Sequence, residues 1–196
     1  MNNILEIKEY TDKEIQGIAA MLRKRKIVVM PSDTIYGFLA HPDCERKVRD
    51  IKKRDNKPFL YLISRCEQLA QLGIDITDYS VILERYWPGP ITFIMKRKKP
   101  LPGGYFDSLG VRMPAWEVLR KIIDKTGMPL ISTSVNFSGE SSFDDIDGII
   151  EKFGSLADLI VADRNFNSNI SSTIVDLTAR PYKILRKGSM DFNEIS

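Results

Sequence analysis

The sequence is poor in the residues on which metal and acid–base chemistry most often depends. Its 196 residues include one histidine, His41, and two cysteines, Cys44 and Cys66. The cysteines form no CxxC pair, so a zinc site built from cysteine and histidine is nearly excluded. A catalytic triad could use only His41, which we interpret as an ordinary surface residue.

Three common motifs of nucleotide and acyl chemistry are also absent. The chain has no GxxxxGK[ST] phosphate loop, no GxGxxG turn and no GxSxG nucleophile elbow. Long apolar runs are missing too, because none approaches the ~18 residues of a membrane span. The start, MNNILEIKEY, lacks the basic head and apolar stretch of a secretory signal. We therefore expect a cytoplasmic protein with no membrane association.

The composition is that of a globular protein. Hydrophobic residues make up 43% of the chain and charged residues 28%. A chain of this length can bury roughly 70% of its unfolded surface, so it needs no metal or disulfide for stability. We predict one domain over residues 1–196. The net charge of +3 permits an anionic ligand without requiring extensive nucleic-acid contact.

Helical and strand patterns alternate along the chain. Thr11 with Glu14, and Ser64 with Glu67, have the spacing of capping boxes at helix starts. The alternation predicts an α/β fold, a three-layer twisted mixed sheet with helices on both faces. The predicted helices cover residues 11–24, 43–53, 64–73, 77–86, 115–125 and 144–152. The predicted strands cover residues 26–31, 59–63, 91–95, 109–113, 129–134, 158–163, 172–177 and 182–186.

Small polar residues gather where predicted strands begin or end. The segments PSDTIYG, STSVNFSG and SST carry hydroxyl, amide and carboxylate groups at these points. Each segment alone is typical of a turn. Because α/β sheets bind ligands at strand ends, the three together predict one site. The candidates are Ser32, Asp33, Thr34, Ser132, Ser134, Asn136, Ser138, Ser171, Ser172 and Thr173.

Cations recur beside the same strands. The stretch IKKRDNKPF, residues 51–59, has four cationic side chains in six positions, which could be solvated surface or part of a site. Arg112 lies in a predicted apolar strand, where it must pair with a carboxylate of the protein or with an anionic ligand. Together with Lys52, Arg54 and Arg186, it would suit a polyphosphate and a small carboxylate.

The ordered motifs resemble the YrdC/TsaC family of threonylcarbamoyl-AMP synthases, in its short single-domain form. The motifs are PSDTIYG, IKKRDNKP, WPGPIT, LGVRMP, STSVNFSG, SSTIVD and ILRKG, between about residues 11 and 188. Two are the family's signature, here Lys52-Lys53-Arg54 and Ser134-Val135-Asn136. No single motif is specific, but the ordered set is.

The resemblance implies a reaction. L-Threonine, bicarbonate and ATP would give threonylcarbamoyl-AMP and pyrophosphate, a nucleotidyl transfer that precedes modification of the adenosine beside the anticodon of tRNA. A threonylcarbamoyl transferase complex would then move the group to tRNA. Mg²⁺ would arrive with ATP, and no protein-bound metal site is expected.

The resemblance also implies roles for single residues. Lys52 and Arg54 would be catalytic, offsetting the repulsion between the carbamate and ATP. We predict that both face the ligand from a non-helical segment while Lys53 faces solvent. The residues implied for threonine are Thr34, Arg112, Ser134 and Ser172. Those implied for the nucleotide are Arg54, Lys57, Ser108, Ser132, Asn136, Ser142 and Arg186.

Two other functions stay open at this point. One is a YrdC-like paralogue that binds RNA or tRNA through a basic face, which a second basic run at residues 96–99 favours. Lys57 and Leu62 stand where the family often has asparagine and histidine, which also favours a paralogue. The other is a carbamoyl-transfer role, since the same fold occurs as one domain of hydrogenase maturation proteins.

Overall fold

The alternating sequence patterns become alternating helices and strands in the computed structural model, which describes residues 3–54, 57–98, 106–139, 143, 145–168 and 170–193. The strands are β1 (Ile4–Ile7), β2 (Val28–Met30), β3 (Gly37–Ala40), β4 (Leu60–Leu62), β5 (Ile91–Lys96), β6 (Ser108–Arg112), β7 (Leu130–Ser134), β8 (Leu159–Asp163), β9 (Thr173–Asp176) and β10 (Lys183–Arg186). The α-helices are α1 (Asp12–Arg23), α2 (Glu45–Lys52), α3 (Ser80–Tyr86), α4 (Glu117–Thr126) and α5 (Ile146–Phe153), and 3₁₀ helices occupy Pro42–Cys44 and Cys66–Leu72.

All ten strands join one sheet, in the order β1-β8-β2-β3-β7-β4-β6-β5-β9-β10. The β1–β8, β2–β8, β4–β6 and β5–β9 pairs are parallel. The other five pairs are antiparallel. The predicted mixed α/β sheet is therefore confirmed.

Several local predictions were wrong. The sequence pattern does not predict β1 or β3, which are short and pair within the sheet. The Thr11 side chain forms no cap bond at α1. Residues 66–72 form a 3₁₀ helix, and the backbone N–H of Ser64 donates to Gln68 Oε1 at 2.7 Å where the capping box would have used Glu67.

Helices lie on both faces of the sheet, but they cover the two faces unequally. On one face, α2 and α5 pack over β2, β3, β7 and β8, while α3 and the 3₁₀ helix at 66–72 pack over β5, β6 and β9. On the other face, α1 and α4 form a core with β2, β3, β4, β7 and β8. Within the described residues, that second core includes no side chain of β5, β6 or β9.

Strand register shows which side chains face this uncovered area. Leu62 belongs to the core under α1 and α4, and it aligns with Arg112 in the parallel β4–β6 pair. Leu60 aligns in the same way with Gly110. Because side chains alternate along a strand, Ser108, Gly110 and Arg112 continue the face that α1 and α4 cover elsewhere. We call this area the open face.

Candidate functional site

A cavity of about 330 Å³ lies on the open face, a volume within the range of small-molecule sites. Its floor follows the two-residue period of strands: Thr92 and Ile94 of β5 lie beside Ser108, Gly110 and Arg112 of β6. The hydroxyl groups predicted at strand ends do meet here, but they meet across the face of the sheet. The lining residues are Ser32, Thr34, Ile35, Gly37, Arg54, Pro58, Phe59, Leu60, Thr92, Ile94, Ser108, Gly110, Arg112, Ser132, Thr133, Ser134, Ser171, Ser172, Ile174 and Arg186.

The loop after β2 brings Thr34 to the cavity. Ser32 closes this loop, because its hydroxyl donates to the Ile35 carbonyl at 2.8 Å and accepts from the Thr34 N–H at 3.2 Å. The Ser32 and Thr34 hydroxyl oxygens are 3.0 Å apart. Ser32 therefore shapes the turn, as its residue type favours, and Thr34 lines the cavity as a buried hydroxyl.

Arg112 combines an internal ion pair with exposure to the cavity. Its Nη1 donates to Asp33 Oδ1, and the other Asp33 oxygen accepts from the Ala115 N–H at 2.8 Å. Arg112 Nε is buried and has no hydrogen-bond partner among the described residues. Burial lowers the pKa of Arg112, and the Asp33 charge opposes that shift. Asp33 thus orients the guanidinium of an arginine that lines the cavity.

Arg186 reaches the cavity from β10, the edge strand. Its Nε and Nη2 donate to the Ser172 carbonyl at 3.1 and 2.9 Å, and Nη2 also donates to the Ser172 hydroxyl at 3.2 Å. The Ser172 and Thr92 hydroxyl oxygens are 2.9 Å apart. Desolvation lowers the pKa of Arg186, and the charge of Arg112 adds to the effect. An anion bound here would relieve the repulsion between the two arginines.

Arg54 is the third cavity arginine. Its Nη2 donates to the Pro58 carbonyl at 2.9 Å, and Nη1 donates to the Thr133 hydroxyl at 3.4 Å. Its Nε is buried without a partner among the described residues. Burial lowers the pKa of Arg54, and the nearby Arg49 charge lowers it further. Among the described residues no aspartate or glutamate lines the cavity, so its charged groups favour anions.

Lys52 does not line the cavity. Its Nζ donates to the Ser134 carbonyl at 2.6 Å, to the Asn136 carbonyl at 2.7 Å and to Asn136 Oδ1 at 2.8 Å. The Lys52 carbonyl accepts from the Ser138 N–H at 2.9 Å. Burial lowers the pKa of Lys52 to about 7, with a smaller contribution from Arg54. Its contacts hold residues 134–138, which we call the 134–138 loop.

The geometry assumed for the Lys52-Lys53-Arg54 motif was wrong. Lys52 is the last residue of α2, and Lys53 ends the helix in the left-handed conformation with φ of 50°. This reversal turns the chain after the helix, so Lys53 is exposed and Arg54 enters the cavity wall. The predicted outward direction of Lys53 holds, although a helix end produces it where we expected an extended segment.

Three of the residues predicted for the nucleotide lie outside the cavity wall or outside the described residues, and the strand-end candidates Asp33, Ser138 and Thr173 do not line the cavity either. Asn136 Oδ1 accepts from the Ser134 hydroxyl at 2.6 Å and from Lys52, so Asn136 supports a residue that lines the cavity. Lys57 is exposed, and its carbonyl accepts from Arg49 Nη2 at 2.8 Å. Ser142 lies outside the described residues.

Most residues of the cavity floor were not among the predicted site residues. Thr92, Ile94 and Gly110 alternate with the buried residues Phe93 and Val111, and that alternation was the available signal. This alternation alone does not identify a cavity, because it does not show which half of the sheet lacks a covering helix. Other missed lining residues are Ile35, Gly37, Pro58, Phe59, Leu60, Thr133 and Ile174.

The described residues contain no group of three or more histidine, cysteine, aspartate or glutamate side chains that could hold a metal ion. No helix among them is both long enough and apolar enough to cross a membrane.

The fold and the arginine-lined cavity define an α/β protein with a cavity suited to a small anionic ligand. The chain belongs to the Sua5/YciO/YrdC family, whose model carries the description "Telomere recombination" and matches residues 20–188. It is 31% identical over 205 residues to the threonylcarbamoyl-AMP synthase of Pyrococcus abyssi, in an alignment covering 100% of this chain and 60% of that protein. It is 29% identical over 184 residues to the threonylcarbamoyl-AMP synthase of Vibrio vulnificus, covering 89% and 98%.

Solved structures show the same fold. The Pyrococcus abyssi Sua5 structure complexed with L-threonine has a TM-score of 0.84 and 28% identity, and the match covers 94% of this chain and 57% of that chain. Escherichia coli YciO has a TM-score of 0.83, with coverage of 97% and 98%, and at 21% identity it shows the fold alone. This chain therefore spans less than two thirds of its Pyrococcus relative.

Proposed function

We propose that this chain is a threonylcarbamoyl-AMP synthase, which forms L-threonylcarbamoyladenylate and pyrophosphate from L-threonine, bicarbonate and ATP. One observation carries the proposal. A single cavity contains all four residues that the resemblance assigns to threonine and four of those that it assigns to the nucleotide. The relatives named threonylcarbamoyl-AMP synthase and the Sua5 structure with L-threonine support it.

Arg112 binds the threonine carboxylate in this proposal. Asp33 occupies one side of its guanidinium, and Arg112 lines the cavity. The hydroxyl groups of Thr34, Ser134 and Ser172 surround the same space and can bond the polar groups of the amino acid. A buried arginine with neighbouring hydroxyls suits a carboxylate better than an uncharged ligand.

Arg54 and Arg186 bind the phosphates, together with the hydroxyl groups of Ser108 and Ser132. The threonine amine takes up carbon dioxide as a carbamate, and a carbamate oxygen then attacks the α-phosphorus of ATP. A new P–O bond forms as the bond to pyrophosphate breaks. Both reactants are anions, so the arginines offset their repulsion and the charge that develops on pyrophosphate. Positioning and electrostatics suffice, and the step needs no histidine base.

Lys52 supports this step from outside the cavity. Its three donors fix the 134–138 loop, and the Ser134 hydroxyl belongs to the threonine set. We therefore assign Lys52 to holding Ser134 in place. Mg²⁺ would arrive with ATP, and its charge would offset part of the negative charge of the phosphates.

The product is a reactive mixed anhydride that another protein must consume. In this proposal a threonylcarbamoyl transferase complex in the cytoplasm transfers the group to tRNA. We expect direct contact of this chain with RNA to be weak, because its net charge is only +3 and the cavity that holds Arg54, Arg112 and Arg186 is too small for a duplex.

Pyrophosphate release from ATP tests the proposal. Release should require threonine and bicarbonate together, since their carbamate is the attacking group, and serine should replace threonine poorly. Equal release with either component omitted would remove the synthase function. RNA binding without threonine-dependent release would favour the paralogue.

A further inference from the structure

Phe59 contacts two arginines at the cavity wall. Its side chain is 3% exposed and lines the cavity. The Arg54 guanidinium carbon is 4.9 Å from the centroid of its ring, and the Arg49 guanidinium carbon is 4.8 Å away. Both distances are within the range of cation–π contacts.

The two arginines differ in whether a carboxylate balances their charge. Arg49 Nη2 and Nε donate to Glu45 Oε1 at 2.6 and 3.2 Å, so a carboxylate balances Arg49 within α2. Arg54 forms no ion pair within the described residues, and its hydrogen bonds go to a carbonyl and a hydroxyl. Among the described residues, no carboxylate therefore balances the charge of Arg54.

An aromatic ring can fix a guanidinium without neutralising it. A carboxylate would hold Arg54 as firmly, but it would also repel a phosphate in the same cavity. The ring attracts the cation through its quadrupole and excludes water from one side of the group. An aromatic partner therefore leaves Arg54 able to bind an anion, whereas a carboxylate partner would not.

We propose that Phe59 is a positioning residue for the polyphosphate: its ring holds the Arg54 guanidinium against the cavity wall, so that donors not used by Pro58 and Thr133 remain directed to the ligand. This inference rests on the proposed function, in which Arg54 binds the phosphates. Phe59 acts through Arg54, and its role is therefore separable from the filling of the hydrophobic core.

The first test follows the Arg54 side chain directly by NMR of arginine Nε–Hε groups. The signal that Arg54→Lys removes identifies Arg54, and the nearby ring should shift it away from exposed arginines. We expect Phe59→Leu to move this signal towards the exposed range and Phe59→Tyr to preserve it. Phe153→Leu is the matched control, because Phe153 is buried in the same core cluster and lies outside the cavity lining.

The second test is calorimetric titration with ATP. Phe59→Leu should weaken ATP binding by about three- to tenfold, the effect of losing a partly desolvated cation–π contact. Phe59→Tyr and Phe153→Leu should bind ATP as the unmodified protein does. An unchanged Arg54 signal in Phe59→Leu, or an equal loss of affinity in Phe153→Leu, would overturn the inference.

The two tests separate this inference from the proposed function. If the unmodified protein releases no pyrophosphate with threonine and bicarbonate, the proposed function fails, whereas the NMR comparison still decides whether Phe59 holds Arg54. If pyrophosphate release is normal and Phe59→Leu leaves the Arg54 signal unchanged, only the positioning role of Phe59 is overturned.

Discussion

Three arginines border the cavity, and a different kind of neighbour holds each one. Asp33 holds Arg112, the carbonyl of Ser172 holds Arg186, and the ring of Phe59 contacts Arg54. Only the first neighbour carries a negative charge. Arg112 therefore presents a partly balanced guanidinium, suited to one carboxylate, while the other two present full charges suited to phosphates.

The buried Asp33–Arg112 pair should contribute more to folding than an exposed pair does. Their side chains are 8% and 3% exposed, so Asp33→Asn leaves a buried guanidinium without its counter-ion. We expect a loss of about 3 kcal/mol in the free energy of unfolding, measured by urea denaturation. The control is Asp124→Asn, whose partner Arg65 is 51% exposed and which should lose less than about 1 kcal/mol. Similar losses in both variants would show that Asp33 orients nothing.

Lys52 gives a prediction about pH. Burial lowers its pKa in the folded protein to about 7, while the pKa in an unfolded chain is about 10.4. Between these values the unfolded chain binds more protons, so the contribution of Lys52 to stability rises with pH. Below pH 7 the charged form persists in both states, and this pH dependence disappears.

The comparison of unmodified protein with Lys52→Met isolates that contribution. From pH 7 to pH 9, the free energy of unfolding of the unmodified protein should rise relative to that of Lys52→Met, by at most about 1.4 kcal/mol per pH unit. Urea denaturation at several pH values measures it. Lys53→Met, at an exposed position, should give a difference that is flat with pH. A flat difference for Lys52→Met would contradict the lowered pKa.

At the scale of elements, the sequence predicts strands where β-branched runs are dense and fails where they are not. The runs in β2, β5 and β8 are predictable, whereas β3 begins with Gly37 and contains no β-branched residue. Capping bonds are less predictable, because Thr11 and Ser64 have capping spacing and yet neither the 3₁₀ helix at 66–72 nor α1 has a side-chain cap bond, although Thr11 does precede the first residue of α1. Pairing within the sheet decides where short strands such as β3 form.

The site divides in the same way between what is predictable and what is not. Hydroxyls and cations in loops are visible in the sequence because their residue types are unusual there. The floor residue Gly110 has no such signal, since it becomes part of a cavity only because α1 and α4 cover half of one face. The non-helical geometry assumed for Lys52 was wrong because α2 extends through Lys52, and the left-handed residue Lys53 turns the chain only after it, while the role of Lys52 stays a prediction.

Substitution of Gly110 tests whether the ligand lies on the floor of the cavity. It lies between Ser108 and Arg112 on β6, and a Cβ there would meet Thr92 Cγ2 at 3.5 Å and Leu60 Cδ1 at 4.0 Å. These are ordinary contacts, so Gly110→Ala should fold with an unchanged melting temperature. Its methyl group would enter the space between the residues assigned to threonine and to the nucleotide. We expect kcat/KM for threonine to fall by about tenfold, the equivalent of about 1.4 kcal/mol.

Gly17 provides the control for this substitution. It is exposed in the middle of α1, and a Cβ there would meet nothing within 4 Å. Gly17→Ala should therefore stabilise the protein by about 0.5–1 kcal/mol and leave the kinetics unchanged. Unchanged kinetics in Gly110→Ala as well would place the ligand away from the floor of the cavity.

At the scale of the whole molecule, neighbouring acids offset part of the positive charge on the surface. Asp158 accepts from both Lys26 and Lys47, and Arg164 pairs with Glu6 and Asp147. Exposed pairs of this kind add little stability, but they reduce the charge available to a polyanion. Arg54 and Arg186, which form no ion pair within the described residues, lie in the cavity.

This distribution predicts how RNA binding responds to salt. With a net charge of +3 and paired surface cations, the chain should neutralise few phosphates of a duplex. The plot of log affinity against log salt should then have a slope no steeper than about −2 to −3, since the slope reports the number of phosphates neutralised. Fluorescence anisotropy of a labelled RNA duplex across a salt series measures it, with excess ATP as a competitor for the cavity arginines. A slope near −6 that ATP does not change would identify a basic surface outside the cavity and favour the RNA-binding paralogue, because a cavity-centred site cannot contact that many phosphates at once.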